Sequence, residues 1–400
     1  MKNKRQLSGN IAVTLACLIA VFGIVWLITA VTHQESTDVP VENGAARMIV
    51  IGKIVLAILF AMLCGILHVI LHEAGHLLCG LATGYRMLSF RIFKYTWVHD
   101  THGWHGKKYH VAGTLGQCIM VPTDRITDHN IPYFWYNLGG VLMNLIVAAT
   151  AGILLCIVET GVVGRVFWLM MACVGVLFAG MNGIPWTMNG VSNDGLTILT
   201  LARKPEWRIH FLNIMRIVGE QSNGRRLKDM PQTWFNDQPL TSATDYFMTL
   251  NRMIYMSLQE DKGHLEKARE IAEEMMAFDG QLPPIFALEV GAERVMLELM
   301  TSNRKEVVDT LWTESLQKYT LTNSPYSPIK LAVLYAVELI HHQDRAQAET
   351  YRQTLERNRN AFTMPGEAAT ALYLIDRQCQ MSNVKCQFEA NCNCDRYDAP

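Results

Sequence analysis

The chain has 400 residues, half of them hydrophobic and 18% charged, with a net charge of −1 and a mean hydropathy of +0.12. That length exceeds what one hydrophobic core usually supports, so two domains are expected. A near-neutral balance, with no basic stripe interleaved with aromatics, excludes a nucleic-acid partner. The average hides a division. Residues 1–202 carry every long apolar run, whereas residues 203–400 have the charge density of a soluble domain.

The first apolar run, Asn10 to Val31, follows Lys2, Lys4 and Arg5. It is long enough to cross a bilayer and no small-x-small cleavage site follows, so a retained anchor helix is expected instead of a cleaved signal peptide. Asp38 to Ala46, with Pro40 and Gly44, reads as a short external loop. The second run, Met48 to Leu71, leads directly into His72-Glu73-Ala74-Gly75-His76. On a helix, His72 and His76 share a face, so two imidazoles can bind one zinc ion. Glu73 follows the first ligand and can reach a water on the metal as general base. Ionisable groups at membrane depth are costly and usually functional. His68 lies on the same face, but no Glu follows it, and it reads as structural or as a support for the ligands.

Beyond the motif, His99, His102, His105 and His110 flank Trp97 and Trp104 in a segment with no long apolar run. Gly113 to Pro122 is apolar but too short to span, and reads as a re-entrant or edge-strand element. A third run covers Leu138 to Val158 and a fourth covers Val166 to Ile184, with Glu159-Thr160-Gly161 as the turn between them. Four spans put both termini on one side. Lys2, Lys4, Arg5, Arg86, Arg91, Lys94, Lys107, Lys108 and Arg125 collect on one face, against Arg47 and Arg165 on the other. The positive-inside rule then places both termini, and the histidine motif, on the cytosolic side of a multi-pass cell-membrane protein. From Ile49 to His72 a helix rises roughly 35 Å, just past a hydrocarbon core of about 30 Å.

A catalytic zinc needs a third protein ligand. The fourth span ends in Asn182-Gly183-Ile184-Pro185, and Asp194-Gly195 follows on the membrane face that carries His76. Asp194 offers a carboxylate there; a helix cap is the plainer use of the same residue. Asn182 and Asn144, in the last two runs, also have a plainer use as hydrogen-bond bridges between spans.

These motifs together resemble the site-2 protease family of intramembrane zinc metalloproteases. The resemblance rests on His72 to His76, on Asn182 and Pro185 followed by Asp194-Gly195, and on Gly139-Gly140 with Asn144 in the span between. It covers about residues 45–202. Eight residues separate Pro185 from Asp194, a longer gap than the family usually has. The resemblance implies that His72, His76 and Asp194 bind Zn2+ and that Glu73 activates water. Asn182 and Asn144 would then contact the substrate backbone or the developing oxyanion. The implied activity is hydrolysis of a peptide bond in or near a transmembrane segment of a membrane protein or peptide. The long gap leaves a second reading open, a zinc-binding membrane scaffold or receptor without catalysis.

From Lys204 onward the pattern is helical. Tyr246, Leu250, Met253, Ile254 and Leu258 recur at helical spacing, and Leu265, Ala268, Ile271, Ala272 and Met275 do so after Asp261-Lys262-Gly263. Further helix pairs are expected over Pro284 to Tyr319 and Pro328 to Arg357, the array of a tetratricopeptide-like domain that could bind a partner protein. Six of the ten cysteines lie in or near membrane segments, and Cys379, Cys386, Cys392 and Cys394 crowd the tail without matching a zinc module. The expected fold is thus an all-α membrane protein of about four transmembrane helices with a short interfacial β or re-entrant segment (1–202), plus a cytosolic α-helical domain (203–400).

Overall fold

The computed structural model describes residues 44–100, 103–108, 115–188, 191–244, 246–278 and 280–381. The first expected span, Asn10 to Val31, lies outside them, as do His102, His110, Cys386, Cys392 and Cys394. Among the described residues three helices are long and apolar enough to cross a membrane. The first, α1 (Gly44–Ala82), runs without interruption from the second apolar stretch through the histidine motif. Gly84, with φ of +98°, ends it by taking a backbone conformation that side chains disfavour. The others are α2 (Tyr133–Ile157) and α3 (Val162–Gly183). Met48, Ile58, Leu59 and Met62 on α1, and Ile146, Ile153 and Ile157 on α2, are exposed, as side chains facing lipid would be.

The all-α expectation needs correction. Between α1 and α2 lies a four-stranded antiparallel sheet, larger than the short segment anticipated. Its strands are β1 (Tyr85–Ile92), β2 (Tyr95–Asp100), β3 (Gly103–Lys108) and β4 (Gly116–Pro122), in the order β3-β2-β1-β4. β4 is thus an edge strand, as the apolar Gly113 to Pro122 stretch suggested, and β2 with β3 forms the hairpin that carries Trp97 and Trp104. Thr96 and Val98 are buried while Tyr95 and Trp97 are exposed, the alternation that the pleat imposes.

This sheet joins the two halves of the chain. Tyr85, Cys118 and Met120 share a core with Leu201, Trp207, Phe211 and Phe247, and Leu77 and Tyr136 of the spanning helices pack against it. On the far side Lys107 Nζ donates to the Phe362 carbonyl at 2.6 Å. The boundary near residue 202 therefore runs through packed structure.

Two helices lead into the second half, α4 (Asp194–Arg203) and α5 (Trp207–Ser222). Then come α6 (Tyr246–Asp261), α7 (Leu265–Met276) and α8 (Pro284–Met300). They pack into one large core with α11 (Pro328–Ala336), α12 (Arg345–Asn358) and α13 (Pro365–Met381). The expected second partner over 301–319 is broken into α9 (Lys305–Leu311) and α10 (Glu314–Asn323), because Thr313 starts a new helix by capping Leu316. Cys379, near the end of α13, is buried and disulfide-bonded.

Candidate metal centre

The last turns of α1 carry His72, Glu73 and His76, all buried. Four residues of helix put both imidazoles on one face, and their Nε2 atoms stand 3.1 Å apart. Asp194 comes from the start of α4, and its Oδ2 lies 3.2 Å from His72 Nε2 and 3.4 Å from His76 Nε2. Zinc bonds of about 2.0–2.1 Å in a tetrahedron set ligand atoms about 3.3 Å apart. The triangle therefore has the size of one face of such a tetrahedron. Asp194 Oδ2 is buried and makes no aligned hydrogen bond, so it has the need that a cation would fill. Burial alone would push the Asp194 carboxyl up, but His76 and His72 outweigh it and hold the group below its usual range, as an anion. Two imidazoles and a carboxylate make a donor set that suits zinc with one position open. Among the described residues no other His, Cys, Asp and Glu cluster meets in this way.

Small residues make the approach feasible. A Cβ on Gly139 would collide with the carbonyl of Gly75, so α1 and α2 touch through their backbones. A Cβ on Gly140 would lie 2.5 Å from the His72 ring. The paired glycines thus have one job each, the first for the helix contact and the second for the His72 ring. His76 is oriented by its other nitrogen, Nδ1, which donates to the Tyr136 carbonyl at 2.7 Å and leaves Nε2 for the centre. Glu73 lies against the start of β4, where a Cβ on Gly116 would meet its Oε1 at 2.5 Å.

The long gap after Pro185 is taken up locally. β5 (Thr187–Met188) and β6 (Val191–Ser192) pair as a small hairpin, and the chain returns to where it left. Asn193 closes this loop: its Oδ1 accepts from Leu196 N at 2.9 Å, and its Nδ2 donates to the carbonyls of Met181 at 2.8 Å and Ile184 at 2.6 Å. A Cβ on Gly195 would strike the Gly183 carbonyl, which explains why glycine follows the aspartate. Asn193 was not singled out from sequence, although an Asn just before a helix is a recognisable cap signal.

The two other residues singled out from sequence sit differently. Asn182 is half-buried, its Nδ2 tied to the Phe178 carbonyl at 3.0 Å, and no hydrogen bond joins it to the triad. Asn144 is fully buried, with its carboxamide between His68 and His72 at 3.0 and 3.1 Å. In that position it meets His72, not an open surface. No family model, curated protein or solved structure matches this chain.

Proposed function

We propose that this chain is an intramembrane zinc metalloprotease that cleaves a peptide bond in or near a transmembrane segment. The observation that carries the reading is the meeting of His72, His76 and Asp194 at zinc-like distances, with Glu73 beside the first ligand. The three side chains would hold the ion, which when bound would lower the pKa of a water towards neutrality and polarise a carbonyl. Glu73 would take a proton from the attacking water at its carboxylate and then deliver it to the leaving amide nitrogen. Asn182, whose Oδ1 has no hydrogen bond among the described residues, would accept a backbone N–H of an unwound substrate. Asn144 acts on His72 and does not touch substrate in this reading.

The resemblance to site-2 proteases supports the same conclusion, and so does the hairpin that absorbs the long Pro185–Asp194 gap and leaves Asp194 beside His72 and His76. We place the centre and the helical half at the cytosolic face on the strength of the basic residues around the sheet. The Cys379 disulfide points the other way, because cytosolic thiols are kept reduced. A fluorescent reporter that folds only in the cytosol, fused after the helical half, separates the two orientations. The helical half would recruit the cytosolic part of a substrate.

The deciding experiment is zinc content per molecule of detergent-purified protein. One zinc is expected in the wild type, and loss in both His76→Ala and Asp194→Ala. Zinc retained by Asp194→Ala would remove the third ligand from this account. Glu73→Gln should keep the zinc and lose about 10²–10⁴-fold in cleavage; full activity in that variant would exclude Glu73 as the base.

A further inference from the structure

His68 stands one turn before the first ligand, fully buried, and makes no contact with Asp194 or His76. Its surroundings are nonetheless built for it. Gly175 of α3 faces its ring, where a Cβ would come within 2.5 Å, just as Gly140 faces His72. Its Nε2 lies 2.9 Å from the carbonyl of Met171, and its Nδ1 lies 3.0 Å from the Asn144 carboxamide. The other end of that carboxamide is 3.1 Å from His72 Nδ1. A continuous chain of polar atoms therefore runs from the α3 backbone through His68 and Asn144 to a metal-ligating ring.

We infer that His68 is a positioning residue for the metal centre: acting through Asn144, it holds His72 in the tautomer whose Nε2 lone pair is free. The inference rests on the metal-centre reading above. It follows from counting donors and acceptors. The Met171 carbonyl only accepts, so His68 Nε2 must carry a proton. With the Asn144 oxygen facing His68 and its nitrogen facing His72, His68 Nδ1 would need a proton as well. The ring would then be a cation, fully buried among apolar helices with no carboxylate bonded to it, an arrangement of high cost. In that orientation His72 would also carry its proton on Nε2, the atom that faces Asp194. A half-turn of the carboxamide, whose two ends have nearly the same shape, removes both conflicts. Neutral His68 then accepts from the Asn144 N–H at Nδ1, and the Asn144 oxygen accepts from His72 Nδ1–H. His72 Nε2 is left bare and aimed at Asp194 and His76. His76 reaches the same state by a shorter route, through the Tyr136 carbonyl. Both ligands are thus set by backbone carbonyls, one directly and one through two side chains.

The test is zinc affinity of the full-length chain in detergent, measured by competition with a chromogenic chelator. His68→Phe keeps a ring in the Gly175 cradle and removes both nitrogens; it should weaken zinc binding about 10- to 100-fold. Asn144→Asp should bind zinc at least as tightly as the wild type, because a carboxylate accepts from His72 Nδ1–H whatever His68 does. In the Asn144→Asp background, His68→Phe should change affinity by less than about twofold, which a packing defect would not achieve. Wild-type affinity in His68→Phe, or an equal loss in both backgrounds, overturns the relay while the metal centre stands. Weaker binding in Asn144→Asp alone also overturns it, and needs no His68 variant to fold. A wild type that takes up no zinc overturns the metal-centre reading, and the relay with it.

Discussion

The spanning helices and the helical half put buried polar side chains to different uses. Around the candidate metal centre, His68, Asn144 and His76 each find a partner on a neighbouring helix, and glycines open the space for the rings. In the helical half, Glu260 of α6 is fully buried and its carboxyl meets that of Glu293 on α8, so that two acids share one place. The first arrangement directs lone pairs to one point. The second keeps protons where water would remove them, so its stability depends on pH. Burial of neutral hydrogen-bonded groups among the spanning helices shapes a candidate site, and burial of two like acids in the helical half makes a dependence on conditions.

The contrast is sharpest where a buried charge does have its partner. Asp261 is fully buried and accepts from Arg226 Nη2 at 2.7 Å and from Thr370 at 2.6 Å, which ties the loop after α5 to α13. Asp261→Ala strands the guanidinium and should cost about 3–5 kcal/mol, read as a lower denaturation midpoint with zinc content intact. Zinc loss in that variant would mean that the two regions are coupled. Gly140→Ala should have a smaller effect on stability, about 1–3 kcal/mol, but should abolish zinc binding because the new methyl displaces His72. A Gly140→Ala protein that still holds one zinc would show that the ring can move without harm.

The smallest effect is the pH dependence of the acid pair. Burial pushes the Glu293 carboxyl up to about 7, helped by Glu289 and opposed by a hydrogen bond with Glu260 and by Lys330, and burial with Glu293 beside it pushes Glu260 up as well. The folded state therefore holds more protons than the unfolded chain between about pH 4.5 and 7. Stability is full below that window and falls as pH rises through it. The melting temperature of the wild type should drop by a few degrees between pH 5 and 8, and Glu293→Gln should flatten the slope. An unchanged slope in that variant would place the titration elsewhere.

Much of the centre could be read from sequence, for a local reason. The spacing of His72, Glu73 and His76 is fixed by the turn of one helix, so their juxtaposition needs no knowledge of the rest. Asp194 was found from its place after the last span, and the second half was correctly read as helical from its apolar period. The sheet was largely missed because large aromatics, Tyr95 and Trp97, lie on its open face and polar Thr96 lies on its buried face, so the alternation does not appear as hydropathy. The place of Asn144 could not be read either. It depends on how α1, α2 and α3 pack together, which no spacing along one helix reveals.

The hairpin before Asp194 has a consequence for tracing chains of this kind. Its ends are pinned by Asn193 to Met181 and Ile184, so the carboxylate next to Asn193 stays at the end of α3 despite the inserted residues. A search pattern that fixes the number of residues after the proline would pass such chains by. One that leaves the insert free and asks for Asn-Asp-Gly at its end would retrieve them.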